Sequence, residues 1–67
     1  MMKIRDFVEW ELQYFRDYCN FTEDEMTYFN LRAKDKSNTQ IAYLMNVSEP
    51  QVSVLAKRVK KKILKVI

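Results

Sequence analysis

Hydrophobic positions recur at three- and four-residue intervals along most of this 67-residue chain, most clearly at Val52, Leu55, Ala56, Val59, Ile63 and Val66. That spacing stacks apolar side chains on one face of an α-helix, leaving the rest of the circumference to polar residues. The pattern predicts four helices, at about 3 to 19, 23 to 34, 38 to 45 and 49 to 65, and therefore an all-α, four-helix domain. The first differs from the last. Ile4, Phe7, Val8, Trp10, Leu12, Tyr14, Phe15, Tyr18 and Cys19 spread over roughly 200° of its circumference at about 100° per residue. One neighbour cannot cover such an arc, so this helix either lies in a groove between two others or offers part of its face to another subunit. Phe7, Trp10, Tyr14 and Tyr18 are the candidate oligomer contacts. Glu11, near the middle of the arc, calls for a basic partner if buried, with Arg32 the candidate.

Helix starts are marked independently of this periodicity. The first four N–H groups of a helix lack internal partners, and Ser or Thr followed three residues later by Glu or Gln can satisfy two reciprocally. Three such capping boxes occur: Thr22-Glu23-Asp24-Glu25, Ser37-Asn38-Thr39-Gln40 and Ser48-Glu49-Pro50-Gln51. With six Ser or Thr and eight Glu or Gln in the chain, chance alone gives fewer than one. Phe21 and Met26 flank the first box as a hydrophobic staple, and Glu23, Asp24 and Glu25 set negative charge at the positive end of the helix dipole. Pro50 needs no N–H in a first turn and so marks a beginning.

Composition then narrows the function. A chain this short holds one domain, read here as residues 1–67, with 1–20 an accessory helix and 21–67 the core. Without glycine, the phosphate-cradling and dinucleotide-binding loops lose their usual residue. Without histidine, and with a single cysteine, Cys19, no catalytic base, metal centre or internal disulfide assembles, so no enzyme activity, metal or cofactor is expected. Charges interrupt every apolar run, which excludes a membrane span, and the N-terminus does not look like a signal peptide; the protein is read as cytoplasmic.

The net charge of +3 conceals a dipole: residues 1–35 carry five basic and eight acidic side chains, residues 36–67 seven basic and one acidic. Lys57, Arg58, Lys60, Lys61, Lys62 and Lys65 crowd nine positions of the last helix. That is the footprint of a phosphate-binding surface, although solubilising charge has the same composition.

Residues 38–57 have the spacing of a helix-turn-helix. Ala42 is small where the next helix crosses, Ile41, Met45, Val47, Val52 and Leu55 are apolar where the helices wedge together, and Asn46 occupies the turn position that needs a left-handed conformation. With Phe21-Thr-Glu-Asp-Glu, Leu31-Arg-Ala, Ser37-Asn-Thr-Gln-Ile-Ala and Val47-Ser-Glu-Pro-Gln-Val-Ser also present, residues 21–65 resemble the helix-turn-helix domain of LuxR-type regulators. The stretch Val52 to Lys65 is also similar to the promoter-reading C-terminal domain of bacterial sigma factors. Asp35 and Lys36 stand where LuxR-type domains usually have Gly before the Ser. The chain stops where their dimerising fourth helix would begin, so the aromatic first helix is expected either to supply the fourth element, closer to the sigma-factor arrangement, or to form a different dimer interface.

The expected partner is double-stranded DNA. Glu49, Gln51, Ser53, Val54 and Lys57 would face base edges in the major groove, Gln51 suiting adenine, Lys57 guanine or phosphate, and Val54 a thymine methyl. Gln51 is also the capping partner of Ser48, so a cap and a base contact compete for one amide. Ser37, Asn38 and Thr39 at the preceding helix start, with Arg58, Lys61, Lys62 and Lys65 further along, are the candidate phosphate contacts. The leading expectation is a sequence-specific transcription regulator, a candidate homodimer because one helix-turn-helix reads few base pairs. The alternative is a module that binds RNA polymerase or a sigma factor, with DNA contact secondary.

Overall fold

The computed structural model describes residues 3–67. A 3-10 turn, Ile4–Asp6, leads into four α-helices: α1 (Glu9–Tyr18), α2 (Glu23–Ala33), α3 (Asn38–Met45) and α4 (Glu49–Val66). The three later helices begin within a residue of the capping boxes. Thr22 accepts from the Glu25 N–H while the Glu25 carboxylate accepts from the Thr22 N–H, and Ser37 and Gln40 repeat the exchange. Phe21, placed by sequence against Met26, stacks on Phe29 with ring centroids 5.0 Å apart.

The first predicted helix divides in two. The chain is extended at Phe7 (ψ 142°) and Val8 (ψ 166°), so the 3-10 turn ends and α1 starts afresh. Glu11 causes this start: its carboxylate accepts from the Val8 N–H at 2.9 Å. Arg32 is not its partner and instead donates to the Lys36 carbonyl at 2.7 Å. Glu11 therefore needs no buried cation; a free amide at the helix end takes up its charge.

The core is built on α4. Val52, Leu55, Val59 and Ile63 are buried, with Ala56 and Val66 half-buried beside them. Against this stripe pack Tyr28 and Phe29 of α2, Ile41 and Ala42 of α3, and Leu12 and Phe15 of α1 with Cys19 just beyond it, while Ile4 of the 3-10 turn joins the core beside α2. Each such aliphatic or aromatic side chain contributes about 1.5–3 kcal/mol on burial. Burial pushes the Cys19 thiol up, which suits a packing residue.

A glycine-free chain must still turn between helices, and it does so on Asn20, Asp35 and Asn46, with φ of 54°, 64° and 58°. After α2 the Asp35 and Lys36 N–H groups donate to the Arg32 and Leu31 carbonyls; after α3 the Asn46 and Val47 N–H groups donate to those of Tyr43 and Ala42. Both are Schellman closures, which satisfy carbonyls that a helix end otherwise leaves open. Asn and Asp tolerate the left-handed region better than other non-glycine residues because their short polar side chains bond locally. Asn46→Ala is accordingly expected to cost about 1 kcal/mol and, in a domain of this size, roughly 4–8 °C in a thermal melt, whereas Asn46→Gly should melt at or above wild type.

Candidate nucleic-acid interface

The turn at Asn46 delivers the chain to Ser48, whose hydroxyl accepts from the Gln51 N–H at 3.3 Å and so caps α4. The Gln51 amide does not return a bond to the Ser48 N–H, unlike its counterparts Glu25 and Gln40. The competition between cap and base contact anticipated from sequence therefore does not arise. Gln51 stands exposed with its amide unengaged among the described residues.

Burial of Val52, Leu55, Val59 and Ile63 fixes the rotation of α4, and the opposite face is forced outward. Gln51, Ser53, Val54, Lys57, Arg58, Lys60, Lys61 and Lys65 are all exposed. At about 100° per residue, Pro50, Val54, Lys57 and Lys61 run along the middle of this face. Val54 is 46% exposed, an apolar side chain held in water at the start of a basic surface.

The start of α3 lies alongside. Ser37 is committed to the Gln40 cap, and Asn38 is half-buried with its side-chain Oδ1 unpaired. The Thr39 hydroxyl donates to the Glu49 carboxylate at 3.2 Å, tying the first residue of α4 to the first turn of α3. Two residues of α3 escaped the sequence reading: Tyr43 and Leu44 are exposed, Tyr43 at 84%, and with Lys36, Thr39 and Gln40 they line a shallow groove. In an apolar run with Ile41, Ala42 and Met45, only the rotation of the helix tells them apart from the buried positions.

The family profile of bacterial regulatory proteins, luxR family, matches residues 20–65, from the turn before α2 almost to the end of α4. The chain belongs to the luxR family. It is thus a DNA-binding helix-turn-helix regulator in general character, in a family of regulatory proteins rather than enzymes. No individual characterised protein and no solved structure matches it. Among the described residues no helix is long and apolar enough to cross a membrane.

Within this luxR-family chain, Asp35 supplies the left-handed turn after α2. It adds an ion pair with Arg5 at 2.8 Å, linking the accessory segment to the end of α2. The Arg5 guanidinium, donating to Asp35, holds that carboxyl below its ordinary value.

Lys62 corrects the expected phosphate-binding set. Its ammonium turns inward and donates to the Glu25 carboxylate and the Asn20 carbonyl, away from its exposed neighbour Lys61. Glu25, buried to 2% exposure, thus accepts from its own cap and from α4 at once. Burial pushes the Glu25 carboxyl up, but the hydrogen bonds from Lys62 and the Thr22 N–H outweigh that and hold it below the ordinary value.

The aromatic arc of α1 is likewise divided. Leu12, Phe15 and Cys19 face inward, and Phe7, expected at an interface, packs on Phe15 with ring centroids 4.9 Å apart. Trp10, Tyr14 and Tyr18 remain outside at four-residue spacing, Trp10 at 73% exposure, with Glu9, Gln13 and Asp17 alongside.

Lys61 and Lys62 should therefore behave differently despite their adjacency. Lys62→Ala strands a buried carboxylate and is expected to cost about 2–3 kcal/mol, while Lys61→Ala should stay within about 0.5 kcal/mol of wild type by denaturant titration. Because the Glu25 value is lowered on folding, its contribution is full above the unfolded-state value of about 4.3 and is lost as pH falls through the folded value. Melting temperature should drop in that acid range, less steeply in Glu25→Gln.

Proposed function

We propose that this chain is a sequence-specific transcription regulator of the cytoplasm that inserts the N-terminal part of α4 into the major groove of double-stranded DNA. The division of α4 into a face buried at Val52, Leu55, Val59 and Ile63 and an outward face rich in cations carries this reading, because it leaves base-reading side chains at the start of the helix and cations further along. Glu49, Gln51, Ser53, Val54 and Lys57 contact base edges. Arg58, Lys61 and Lys65 attract phosphate, and the first turn of α3, with Ser37, Asn38 and Thr39, approaches the backbone. Lys62, held by Glu25, drops out of the set.

Binding to duplex DNA across a salt series tests the proposal. Lys61→Ala and Lys65→Ala should each flatten the slope of log K against log salt by about one unit, whereas Lys57→Ala should relax the sequence preference at the position it reads. An affinity independent of salt, or no binding at low salt, would sink the reading.

The exposed stripe of Trp10, Tyr14 and Tyr18 favours a second copy as its cover, because two helix-turn-helix units read enough base pairs to compete with a genome of other sites. The same stripe supports a second reading, in which it docks on RNA polymerase or a sigma factor and DNA contact is secondary. Sedimentation equilibrium separates them. A dimer abolished by Trp10→Ala/Tyr18→Ala at unchanged melting temperature supports the first; a monomer at every concentration favours the second.

A further inference from the structure

The recognition helix opens with a negative charge. Glu49 is the single acidic residue between positions 36 and 67, in a stretch that carries seven basic ones. It is exposed, it is the first residue of α4, and the Thr39 hydroxyl donates to one of its carboxylate oxygens at 3.2 Å. Among the described residues no other donor bonds that carboxylate. A carboxylate has lone pairs for about four hydrogen bonds, so most of its acceptor capacity remains unused and one oxygen is held in a fixed direction.

Such a group cannot be neutral toward DNA. A carboxylate brought between phosphates gains nothing from the backbone and is repelled by it, and it can only accept hydrogen bonds. In the major groove guanine shows two acceptors, thymine one acceptor and a methyl group, and adenine a donor beside an acceptor. Cytosine alone presents its N4 amino donor without a neighbouring acceptor of its own. From this we propose that Glu49 is a specificity-determining residue that selects cytosine at one position of the DNA site, and that Thr39 is the positioning residue that aims it. Resting on the reading that the start of α4 enters the major groove, the proposal adds a sign: Glu49 acts mainly by penalising every other base. The helix start survives loss of either side chain, since Ser48 still caps it and Pro50 still occupies the first turn.

The experiment is selection of bound sequences from randomised duplexes by wild type, Glu49→Gln, Thr39→Val and Thr39→Ser, with each protein's melting temperature and its affinity for unselected duplex. Wild type should enrich a C·G pair at one position, with discrimination of roughly tenfold there. Glu49→Gln should lose that preference while binding unselected duplex severalfold more tightly. Thr39→Val should blunt the preference without changing the melting temperature, and Thr39→Ser should restore it. Should Glu49→Gln select the same sequences with the same discrimination, the role of Glu49 is overturned while the DNA-binding reading stands. Equal preference in Thr39→Val and wild type overturns the positioning role. Should wild type fail to bind duplex at low salt, the underlying reading falls and this inference with it.

Discussion

The other three α-helices of this protein are arranged around the apolar stripe of α4. Val52, Leu55, Val59 and Ile63 lie on one side of an 18-residue helix, which at about 1.5 Å per residue is roughly 27 Å long, in a molecule whose greatest extent is 29 Å. No single short helix can cover a stripe that long. The α3 helix, α2 and α1 with its flanking residues share it, and their positions follow from where they pack on it. Because close packing admits one rotation of α4 about its axis, the same burial decides which side chains face outward. The basic surface is the geometrical complement of the core.

Turning without glycine is the second constraint. Left-handed residues at Asn20, Asp35 and Asn46 reverse the chain between the helices, and each carries a backbone cost that glycine would avoid. Two of the turns close as Schellman motifs, so the cost is offset by satisfied carbonyls. Asp35 also brings a charge that Arg5 meets, so the accessory segment is tied to the end of α2 in the luxR-family core.

Charge separation along the chain has both a structural and an outward use. The acidic first half meets the basic second half inside the fold through Glu25 and Lys62, an ion pair spanning 37 positions of sequence. Lysines that look equivalent in a run are thereby sorted, one holding α4 to the start of α2 and its neighbour standing in solvent. The outward faces of two helices differ in the same way: cations line that of α4, while aromatic rings with carboxylates beside them line that of α1.

What the sequence determined by itself were the features set within a few residues. The starts of α2, α3 and α4 depend on caps three positions apart, the turn at Asn46 on one residue's tolerance of positive φ, and the buried face of α4 on a repeat matching the helical period. These signals survive without knowledge of what packs where. The rest depended on which neighbour reached which group. The break before α1 came from Glu11 bonding the Val8 amide rather than from any helix-breaking residue. Lys62 was withdrawn from the basic surface by a carboxylate far away in sequence, and Thr39 and Glu49 were joined across the turn between their helices. The aromatic arc of α1, continuous on a helical wheel, was split by packing into a buried part, with Leu12, Phe15 and Cys19, and an exposed one, with Trp10, Tyr14 and Tyr18. Local bonding and periodicity are written in neighbouring residues, whereas partners brought together across tens of residues exist only once the core has fixed the rotation of each helix.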